Sequence, residues 1–231
     1  MEKSFAEYLL RKTQLDYDTI SEEFSATRRE IWEEMKFLFD FLKKGDRVLD
    51  LGCGNGRWYP LFKEKEVDYF GVDFSEKLVA IAKKTFPEAK FLVANALSLP
   101  FENHFFDKIY SIAVLHQIPS FDFRIQFLKE CKRVLKPEGI LILTVWKIYR
   151  PKEMLLLLKY TILKILGKSK LDFKDIFEPW GKKIQRYYHC FSKRELENLV
   201  KKAGFEILKS GLVKNKKGNR KNFFVVCKKP S

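Results

Sequence analysis

The stretch that decides the fold is RVLDLGCGNG, which spans residues 47–56. Its apolar first half, residues 47–52, predicts a short buried β-strand, and a cluster of glycines follows. The glycines let the backbone turn tightly and approach a ligand with no Cβ in the way. The turn lies at the carboxyl end of the first predicted strand, where doubly wound sheets bind their ligands. We therefore expect a ligand site at this loop.

Downstream of the loop, predicted helices alternate with predicted strands. The helices are Arg57–Lys65, Glu76–Phe86 and Phe123–Leu135, and the strands are Tyr69–Phe74, Lys90–Ala96, Phe106–Val114 and Ile140–Trp146. This alternation predicts β-α-β units and a parallel sheet covered on both faces. Two last strands, Glu206–Lys214 and Asn222–Lys228, flank a tight turn and must be antiparallel. The predicted class is therefore α/β, doubly wound and mainly parallel.

The chain is expected to form one domain with four parts. Residues 1–44 read as a helical cap with an apolar helix face that runs from Phe24 to Phe41, and residues 45–146 form the core. Residues 147–191 break the alternation with a helix at 151–166, a loop over 167–183 and an ordered aromatic segment. Residues 192–231 supply a helix with the capping box Ser192 and Glu195, followed by the two last strands.

Composition excludes several classes of protein. The 231 residues are 46% hydrophobic and 15% aromatic, which is enough for a sizeable core and argues against disorder. The four cysteines are far apart and lack zinc-finger spacing, so buried thiols in a reducing compartment are expected. Neither a signal peptide nor a run of about 18–20 apolar residues that spans a bilayer is found. We expect a soluble, cytoplasmic protein without integral membrane association and without a metal site.

Positive charge is concentrated at one end of the chain. The formal net charge is +15, and residues 147–231 hold 23 basic and 7 acidic side chains, a local net charge of +16. Such asymmetry predicts a polyanionic partner or an anionic membrane surface. A lysine-rich solvated surface is the plainer explanation.

Polar side chains stand where the next predicted strands end. Asp73 closes the second strand about 20 residues after the glycine loop, where an acidic side chain accepts hydrogen bonds from a ribose. Asn95 and Ala96 close the third strand, where a side-chain carbonyl can meet an adenine amine. The fourth strand ends in the segment Ala113-Val114-Leu115-His116. A tight turn without ligand, a helix cap at Asp73 and a turn role for Asn95 are the structural alternatives.

Together these motifs resemble the class I S-adenosylmethionine-dependent methyltransferases over residues 46–226. The segment Lys136-Pro137-Glu138-Gly139 before an apolar strand is also typical of that family. The resemblance implies a Rossmann-like, seven-stranded sheet with its last strand antiparallel, and S-adenosyl-L-methionine as cofactor. Asn95 stands where the family usually has Asp, and its amide oxygen is still an acceptor. The expected cofactor-binding residues are Asp50, Gly52, Cys53, Gly54, Asn55, Gly56, Asp73, Phe74, Asn95, Ala96 and Ala113.

Three further motifs resemble the tRNA wobble-uridine carboxymethyl methyltransferases, which include the methyltransferase part of AlkB homologue 8. They are Tyr17-Asp18-x-Ile20-x-x-x-Phe24-Ser25-x-Thr27-Arg28 with Trp32, the fourth-strand motif Ser111–His116, and Glu178-Pro179-Trp180 with Arg186-Tyr187-Tyr188-His189-x-Phe191 and Glu195-Leu196. The last is the most specific of the three. Gln117 departs from the pattern, because the family often has a second His there.

This second resemblance implies methyl transfer to the carboxylate of 5-carboxymethyluridine, which gives its methyl ester. A carboxylate is ionised at neutral pH, so the reaction needs positioning and desolvation rather than a strong base. The candidates for holding the acceptor are Arg28, His116, Arg186, Tyr188 and His189, and Tyr187 with Tyr188 can stack a base. Structural roles for these residues stay open: His116 can be a packing or capping residue, the two tyrosines can be core residues, and Arg28 can form a surface ion pair.

The expected partners are a tRNA anticodon region, bound through the basic C-terminal third, and a small zinc-binding activator subunit. Ten lysines are expected to contact phosphates: Lys182, Lys183, Lys201, Lys202, Lys214, Lys216, Lys217, Lys221, Lys228 and Lys229. Two other functions stay open. One is a small-molecule or lipid methyltransferase whose helix 151–166 is a lid or lies on a membrane, and the other is a non-catalytic RNA-binding module.

Overall fold

The computed structural model describes residues 1–148 and 151–231. Tyr149 and Arg150, in the insertion predicted over 147–191, lie outside these residues. Nine strands are described: β1 Arg47–Leu51, β2 Asp68–Asp73, β3 Lys90–Val93, β4 Phe106–Ile112, β5 Leu135–Trp146, β6 Asp175–Trp180, β7 Ile184–His189, β8 Glu206–Lys214 and β9 Lys221–Lys228. Six α-helices are described: α1 Lys3–Thr27, α2 Tyr59–Glu64, α3 Glu76–Thr85, α4 Phe121–Val134, α5 Pro151–Ile165 and α6 Lys193–Lys202.

Seven of the strands form one sheet in the order β3-β2-β1-β4-β5-β9-β8. The first five positions are parallel, whereas β9 runs antiparallel to both of its neighbours. The order reverses on either side of β1 and β4, which opens a crevice between their carboxyl ends. The sheet therefore confirms the predicted doubly wound class with its antiparallel last strand.

Each face of the sheet buries its own apolar core. One core packs α4 and α6 on the sheet through residues such as Phe127 and Val200, both fully buried. The other covers the opposite face with α2, α3 and a 3-10 helix at Glu33–Phe41, around the buried rings of Phe62 and Tyr110. The four cysteines are buried thiols that form no disulfide with one another.

Side-chain caps fix where the helices begin. Ser75 accepts a hydrogen bond from Leu78 N at the start of α3, and Ser120 accepts one from Phe123 N at the start of α4. Ser192 and Glu195 form the predicted capping box of α6. These caps start α3 and α4 close to the crevice, because both helices follow the carboxyl ends of strands.

Two predictions about secondary structure are wrong. The apolar face predicted from Phe24 to Phe41 is not one helix, because α1 ends at Thr27 and residues 33–41 form the 3-10 helix. The intervening residues 28–32 cross the mouth of the crevice instead, with the Arg28 carbonyl accepting from Asn55 Nδ2 at 3.3 Å. The loop predicted over 167–183 contains β6, which pairs only with β7 in a separate ribbon that tolerates Pro179.

Within the described residues, none of the helices combines the length and the apolar character that crossing a bilayer requires.

Candidate active site

A deep crevice opens at the carboxyl ends of β1, β2 and β4. Its empty volume is about 1080 Å³, including the open mouth, which suits a ligand larger than a single amino acid. Helix α1 closes one side, with Tyr17 and Phe24 in the lining. The helix is anchored there by Asp18, whose Oδ1 accepts from Ser75 Oγ at 2.6 Å and from Lys77 N at 3.2 Å.

Most of the residues predicted for the cofactor meet in this crevice, whereas most of those predicted for the acceptor do not line it. The lining includes Arg28, Gly52, Cys53, Gly54, Asn55, Asp73, Phe74, Asn95, Ala96 and Ala113. The predicted residues outside the lining are Asp50, Gly56, His116, Arg186, Tyr188 and His189.

The glycine loop needs its glycines for two different reasons. Gly52 has a φ of +82°, and a Cβ placed there would lie 2.2 Å from Val114 Cγ2, so no side chain fits. At Gly54 a Cβ would point into open space, with Phe24 Cε1 nearest at 3.9 Å. The first glycine therefore shapes the turn, and the second leaves the crevice free beside the backbone.

Asp73 faces the loop from the end of β2. Its Oδ2 accepts from Gly54 N at 2.8 Å, and its Oδ1 accepts from Ser75 N at 2.9 Å. Burial raises the pKa of Asp73, and these backbone N–H groups oppose the rise. Each carboxylate oxygen keeps a lone pair for a further donor, as a ribose diol requires.

The other strand ends hold short polar or strained turns. Asn95 Oδ1 accepts from Leu97 N at 2.9 Å, so it stabilises its own turn and keeps one lone pair for a ligand. Ala113 has a φ of +62°, and its N–H donates to Thr144 Oγ1 at 3.0 Å. A non-glycine residue in this conformation is strained, which is typical of functional sites.

Asp50 and Gly56 lie behind the loop. Asp50 is 1% exposed and accepts from Tyr69 Oη at 3.0 Å. Burial raises the pKa of Asp50 to about 7, and the neighbouring Asp73 adds to the rise. A Cβ at Gly56 would lie 2.9 Å from Phe91 Cζ, so this glycine serves close packing. Their predicted cofactor contacts are indirect in this geometry.

The crevice fits S-adenosylmethionine by the chemistry of its walls. Asp73 offers two acceptors to a ribose, the open side of Gly54 leaves room for the ligand, and Asn95 offers an acceptor to an adenine amine. Arg57 adds a buried Nη1 that makes no hydrogen bond to the described residues, so a carboxylate has a cation to meet. When bound, the cofactor supplies a methyl group on a sulfonium.

Arg57 is one of three functional candidates that the sequence did not single out. Burial lowers its pKa to about 9, and nearby Arg28 and Arg220 add to the effect. Its guanidinium lies 4.1 Å from the Trp32 ring centroid and 4.9 Å from that of Trp58. The position directly after the glycine loop was the available signal. Tyr17 and Trp146 also line the crevice. The only sequence signal for Tyr17 is its place in the N-terminal motif, and the only one for Trp146 is its place at the end of a strand.

Beyond the crevice wall, cations and hydroxyls gather at what we call the acceptor end. Arg186 is 6% exposed and donates to Glu178 Oε2 at 2.9 Å, but its Nε and Nη1 make no hydrogen bond to the described residues. Tyr188 Oη likewise makes no hydrogen bond of normal geometry to the described residues, although the Tyr17 hydroxyl is its neighbour. Burial lowers the pKa of Arg28, and the Arg186 charge adds to this.

The two predicted histidines do not line the crevice. His116 is fully buried against the rings of Trp146 and Tyr188, whose centroids lie 5.0 and 5.3 Å away. Burial lowers the pKa of His116 to about 3, and the Arg186 charge contributes, so the ring is neutral at physiological pH. It supports the two aromatic rings that border the acceptor end.

His189 connects the ribbon of β6 and β7 to α6. Its Nδ1 lies 2.7 Å from Asp175 Oδ1, and its Nε2 lies 2.8 Å from Glu195 Oε1. Although burial opposes the change, His189 and Lys174 lower the pKa of Glu195 to about 2. This network holds the ribbon that carries Arg186, and it leaves neither nitrogen of His189 for a substrate.

Comparisons with known proteins agree with this geometry. Residues 49–143 match the family described as "Methyltransferase domain". A protein of Encephalitozoon cuniculi named as a methyltransferase is 31% identical over 84% of this chain and 87% of its own length. The Schizosaccharomyces pombe tRNA (carboxymethyluridine(34)-5-O)-methyltransferase is 29% identical over 92% of this chain and 94% of its own length.

A protein of the same name from Arabidopsis thaliana is 36% identical over 64% of this chain, but the match spans only 35% of the plant protein. Among solved structures, a methyltransferase of Methanosarcina mazei has a TM-score of 0.72 at 24% identity, covering 84% of this chain and 97% of that one. A Haloferax volcanii methyltransferase complex with the Trm112 activator has a TM-score of 0.66 at 17% identity, covering 93% and 98%. These two structures show the shared fold. Crevice, strand order and sequence matches together place the chain among the class I S-adenosylmethionine-dependent methyltransferases.

Proposed function

We propose that this enzyme methylates the carboxylate of 5-carboxymethyluridine at the wobble position of tRNA and so forms the methyl ester. The observation that carries the proposal is the acceptor end, where Arg28, Arg186 and Tyr188 present cationic or hydroxyl groups. The Nε and Nη1 of Arg186 are buried donors without a partner among the described residues, which is costly, and a carboxylate satisfies them with charge-assisted hydrogen bonds. The names of the relatives from S. pombe and A. thaliana support the same acceptor.

The acceptor end offers cations rather than a general base, as this reaction requires. Transfer joins a carboxylate oxygen to the methyl carbon and breaks the bond from that carbon to sulfur, which becomes a neutral thioether. No proton is removed, so the low pKa of buried His116 is no obstacle. The protein has to hold the carboxylate in line, exclude water and balance its charge, and Arg28 and Arg186 are placed for this.

Aromatic side chains border the same end and support a base as the acceptor's carrier. Trp180 lies 5.8 Å from the Arg28 guanidinium and 4.5 Å from that of Arg186, measured to its ring centroid. Trp146 lines the crevice and stands 5.2 Å from Tyr188, centroid to centroid. Flat rings next to cations suit a nucleobase that is turned out of its stack. Tyr187 is buried on the side of Phe177 and Leu171, so Trp146 and Trp180 are better placed for stacking.

We propose tRNA as the partner that the basic C-terminal third binds, and a cytoplasmic site of action follows from that substrate. A small zinc-binding activator subunit is a further proposed partner. It is supported by the exposed edge strand β3, where Leu92 is 38% and Val93 44% exposed. The similar Haloferax volcanii methyltransferase is in complex with the Trm112 methyltransferase activator, which supports an activator as partner.

The lipid methyltransferase stays an alternative because of one surface. Helix α5 exposes Leu155, Leu158 and Ile165 by 69%, 58% and 71%, with Lys152 and Lys159 along one border. Such a helix suits an anionic membrane. Strong co-sedimentation with anionic vesicles and no affinity for tRNA would favour this alternative. The other alternative, a non-catalytic RNA-binding module, is excluded if calorimetry detects cofactor binding and the methylation assay detects methyl transfer.

The test uses purified enzyme, cofactor and two anticodon stem-loops that differ in one group. One carries 5-carboxymethyluridine, and the other carries the corresponding amide, which is similar in shape but uncharged. Nucleoside mass spectrometry should find a base-labile methyl ester on the first RNA and no methylation of the second. Equal methylation of both, or of neither with activator added, would contradict the proposal.

A further inference from the structure

The two ends of the large sheet differ in how their charges are balanced. At the amino end of the parallel strands, lysines are neutralised by carboxylates close to them. The ion pairs, measured from nitrogen to oxygen, are Lys108–Asp46 at 3.0 Å, Lys90–Asp68 at 2.7 Å, Lys136–Asp107 at 2.7 Å and Lys228–Glu138 at 2.8 Å. These four lysines therefore offer little free positive charge to a polyanion.

At the opposite end, two hairpin turns lie beside the mouth of the crevice. The first, residues 181–183 between β6 and β7, is held there by Trp180 Nε1, which donates to Glu23 Oε1 at 2.9 Å. Arg28 of the crevice lining faces the same Trp180 ring. The β6–β7 turn is thus fixed against the part of α1 that closes the crevice.

The second turn, residues 215–220 between β8 and β9, reaches the mouth from the other side. Its Arg220 forms a bidentate pair with Glu34 at 2.6 and 3.0 Å and lies 4.4 Å from the centroid of Trp32, which lines the crevice. The chain after β5 is tied to the same turn, because Lys147 N donates to Lys221 O at 2.9 Å. The two turns therefore flank the opening.

Both turns carry positive charge that no carboxylate neutralises. Lys182, Lys216 and Lys217 are exposed, and within residues 1–148 and 151–231 they form no ion pair. Lys183 pairs with Glu23 at 2.7 Å in an exposed contact, which water and salt weaken. Free lysines on both sides of an opening create a positive potential across it.

We propose that these two basic turns bind the ribose-phosphate backbone on either side of the nucleotide whose base enters the crevice. The inference rests on the proposed function, because it assigns the surface by which that site holds its RNA. Of the ten lysines expected to contact phosphates, it retains those of the two turns and excludes two others. Lys228 is paired at the amino end, and Lys229 is buried and donates to Leu135 O at 2.7 Å, so neither contributes. Compact ammonium groups suit contacts that are independent of sequence.

The chain offers a control with the same change in charge. Lys83 and Lys84 lie in the last turn of α3, which leads back to the amino end of the sheet. Both are exposed, and they form no ion pair with the described residues. The variants are therefore K182Q/K183Q and K216Q/K217Q, with K83Q/K84Q as control, each of which removes two positive charges.

Affinity for the stem-loop with 5-carboxymethyluridine is measured across a salt series, together with kcat and KM. Each turn variant should bind about tenfold more weakly, and the slope of log affinity against log salt should fall by roughly 0.7–0.9 for each lost phosphate contact. We expect a raised KM, an unchanged kcat at saturating RNA and unchanged cofactor binding. The control should match the wild type in every measurement.

The outcomes separate this inference from the proposed function. If the wild-type enzyme methylates the stem-loop but both turn variants match the control, the turns do not bind RNA and the inference is wrong. If the turn variants lose binding to anionic vesicles while their RNA affinity is unchanged, the same surface serves a membrane instead. If the wild-type enzyme methylates no RNA at all, the proposed function itself has failed.

Discussion

Aspartates at the amino end of the sheet and aspartates at its carboxyl end have pKa values that are shifted in opposite directions. At the amino end, burial opposes the change but Lys90 and Arg47 lower the pKa of Asp68, and Lys136 and Arg47 do the same for Asp107. At the carboxyl end, burial raises the pKa values of Asp50 and Asp73. At the amino end cations of the fold pair with the carboxylates, whereas at the carboxyl end the hydrogen-bond donors to Asp50 and Asp73 are a hydroxyl and backbone N–H groups.

The largest expected difference comes from two glycines with the same backbone angle. Gly45 and Gly52 both have a φ of +82°, but a Cβ at Gly45 would meet nothing within 4 Å, whereas one at Gly52 would overlap Val114. We expect G45A to lower the free energy of unfolding by about 1 kcal/mol through strain alone, and G52A by about 3 kcal/mol or more. Urea denaturation measures both. Equal losses would mean that the loop relaxes and that the packing at Val114 is unimportant.

The two ends of β2 give the next test, on cofactor affinity. Asp73 is expected to hold a ribose through charge-assisted hydrogen bonds, which are worth about 1.5–3 kcal/mol each. D73N should therefore weaken binding of the cofactor about 100-fold in calorimetry, and D68N at the other end should leave it unchanged. An affinity of D73N close to that of the wild type would remove Asp73 from the site.

The buried acids predict a dependence on pH that differs between the ends. Asp50 has a folded pKa of about 7, above its value of 3.8 in the unfolded chain, so its contribution to stability is lost as pH rises from about 4 to about 7. D50N should gain unfolding free energy over the wild type by about 1.4 kcal/mol for each pH unit of that window. D107N should instead lose stability relative to the wild type above about pH 4, because the lowered pKa of Asp107 has the opposite sign. Parallel pH profiles for the two variants would contradict this contrast.

The smallest expected effect concerns two neighbouring tyrosines that face different ways. The Tyr188 hydroxyl lies at the acceptor end, and that of Tyr187 lies on the side of Asp175 and Arg124. Y188F should lower kcat/KM for the RNA about tenfold, or about 1.4 kcal/mol, with little change in stability. Y187F should keep the wild-type kcat/KM. An unchanged rate for Y188F would exclude its hydroxyl from acceptor binding.

The core of the fold was predictable because its signals are local. The strand before Gly52, the acid at the end of β2 and the antiparallel pair at the C-terminus were each read from short segments, and the sheet has all three. The cap of α6 at Ser192 was equally local. Periodicity and turn chemistry are properties of neighbouring residues, so sequence carries them directly.

The acceptor end was predicted less well because tertiary contacts decide it. The break after Thr27, which carries Arg28 and Trp32 to the crevice, depends on residues such as Asn55 that are distant in sequence. The motif containing His189 suggested a site, but the ring is held by Asp175 and Glu195. Strand β6, which contains Pro179, was not predicted, and its pairing with β7 explains it.

The central claim is that the loop at Gly54 and the carboxylate of Asp73 bind the adenosyl part of the cofactor. Its most direct measurement is a crystal structure of the protein grown with S-adenosylhomocysteine. We expect density in the crevice, with both ribose hydroxyls within hydrogen-bond distance of Asp73 and the adenine beside Asn95. Density elsewhere, or a ribose that leaves the Asp73 carboxylate untouched in an occupied crevice, would contradict it.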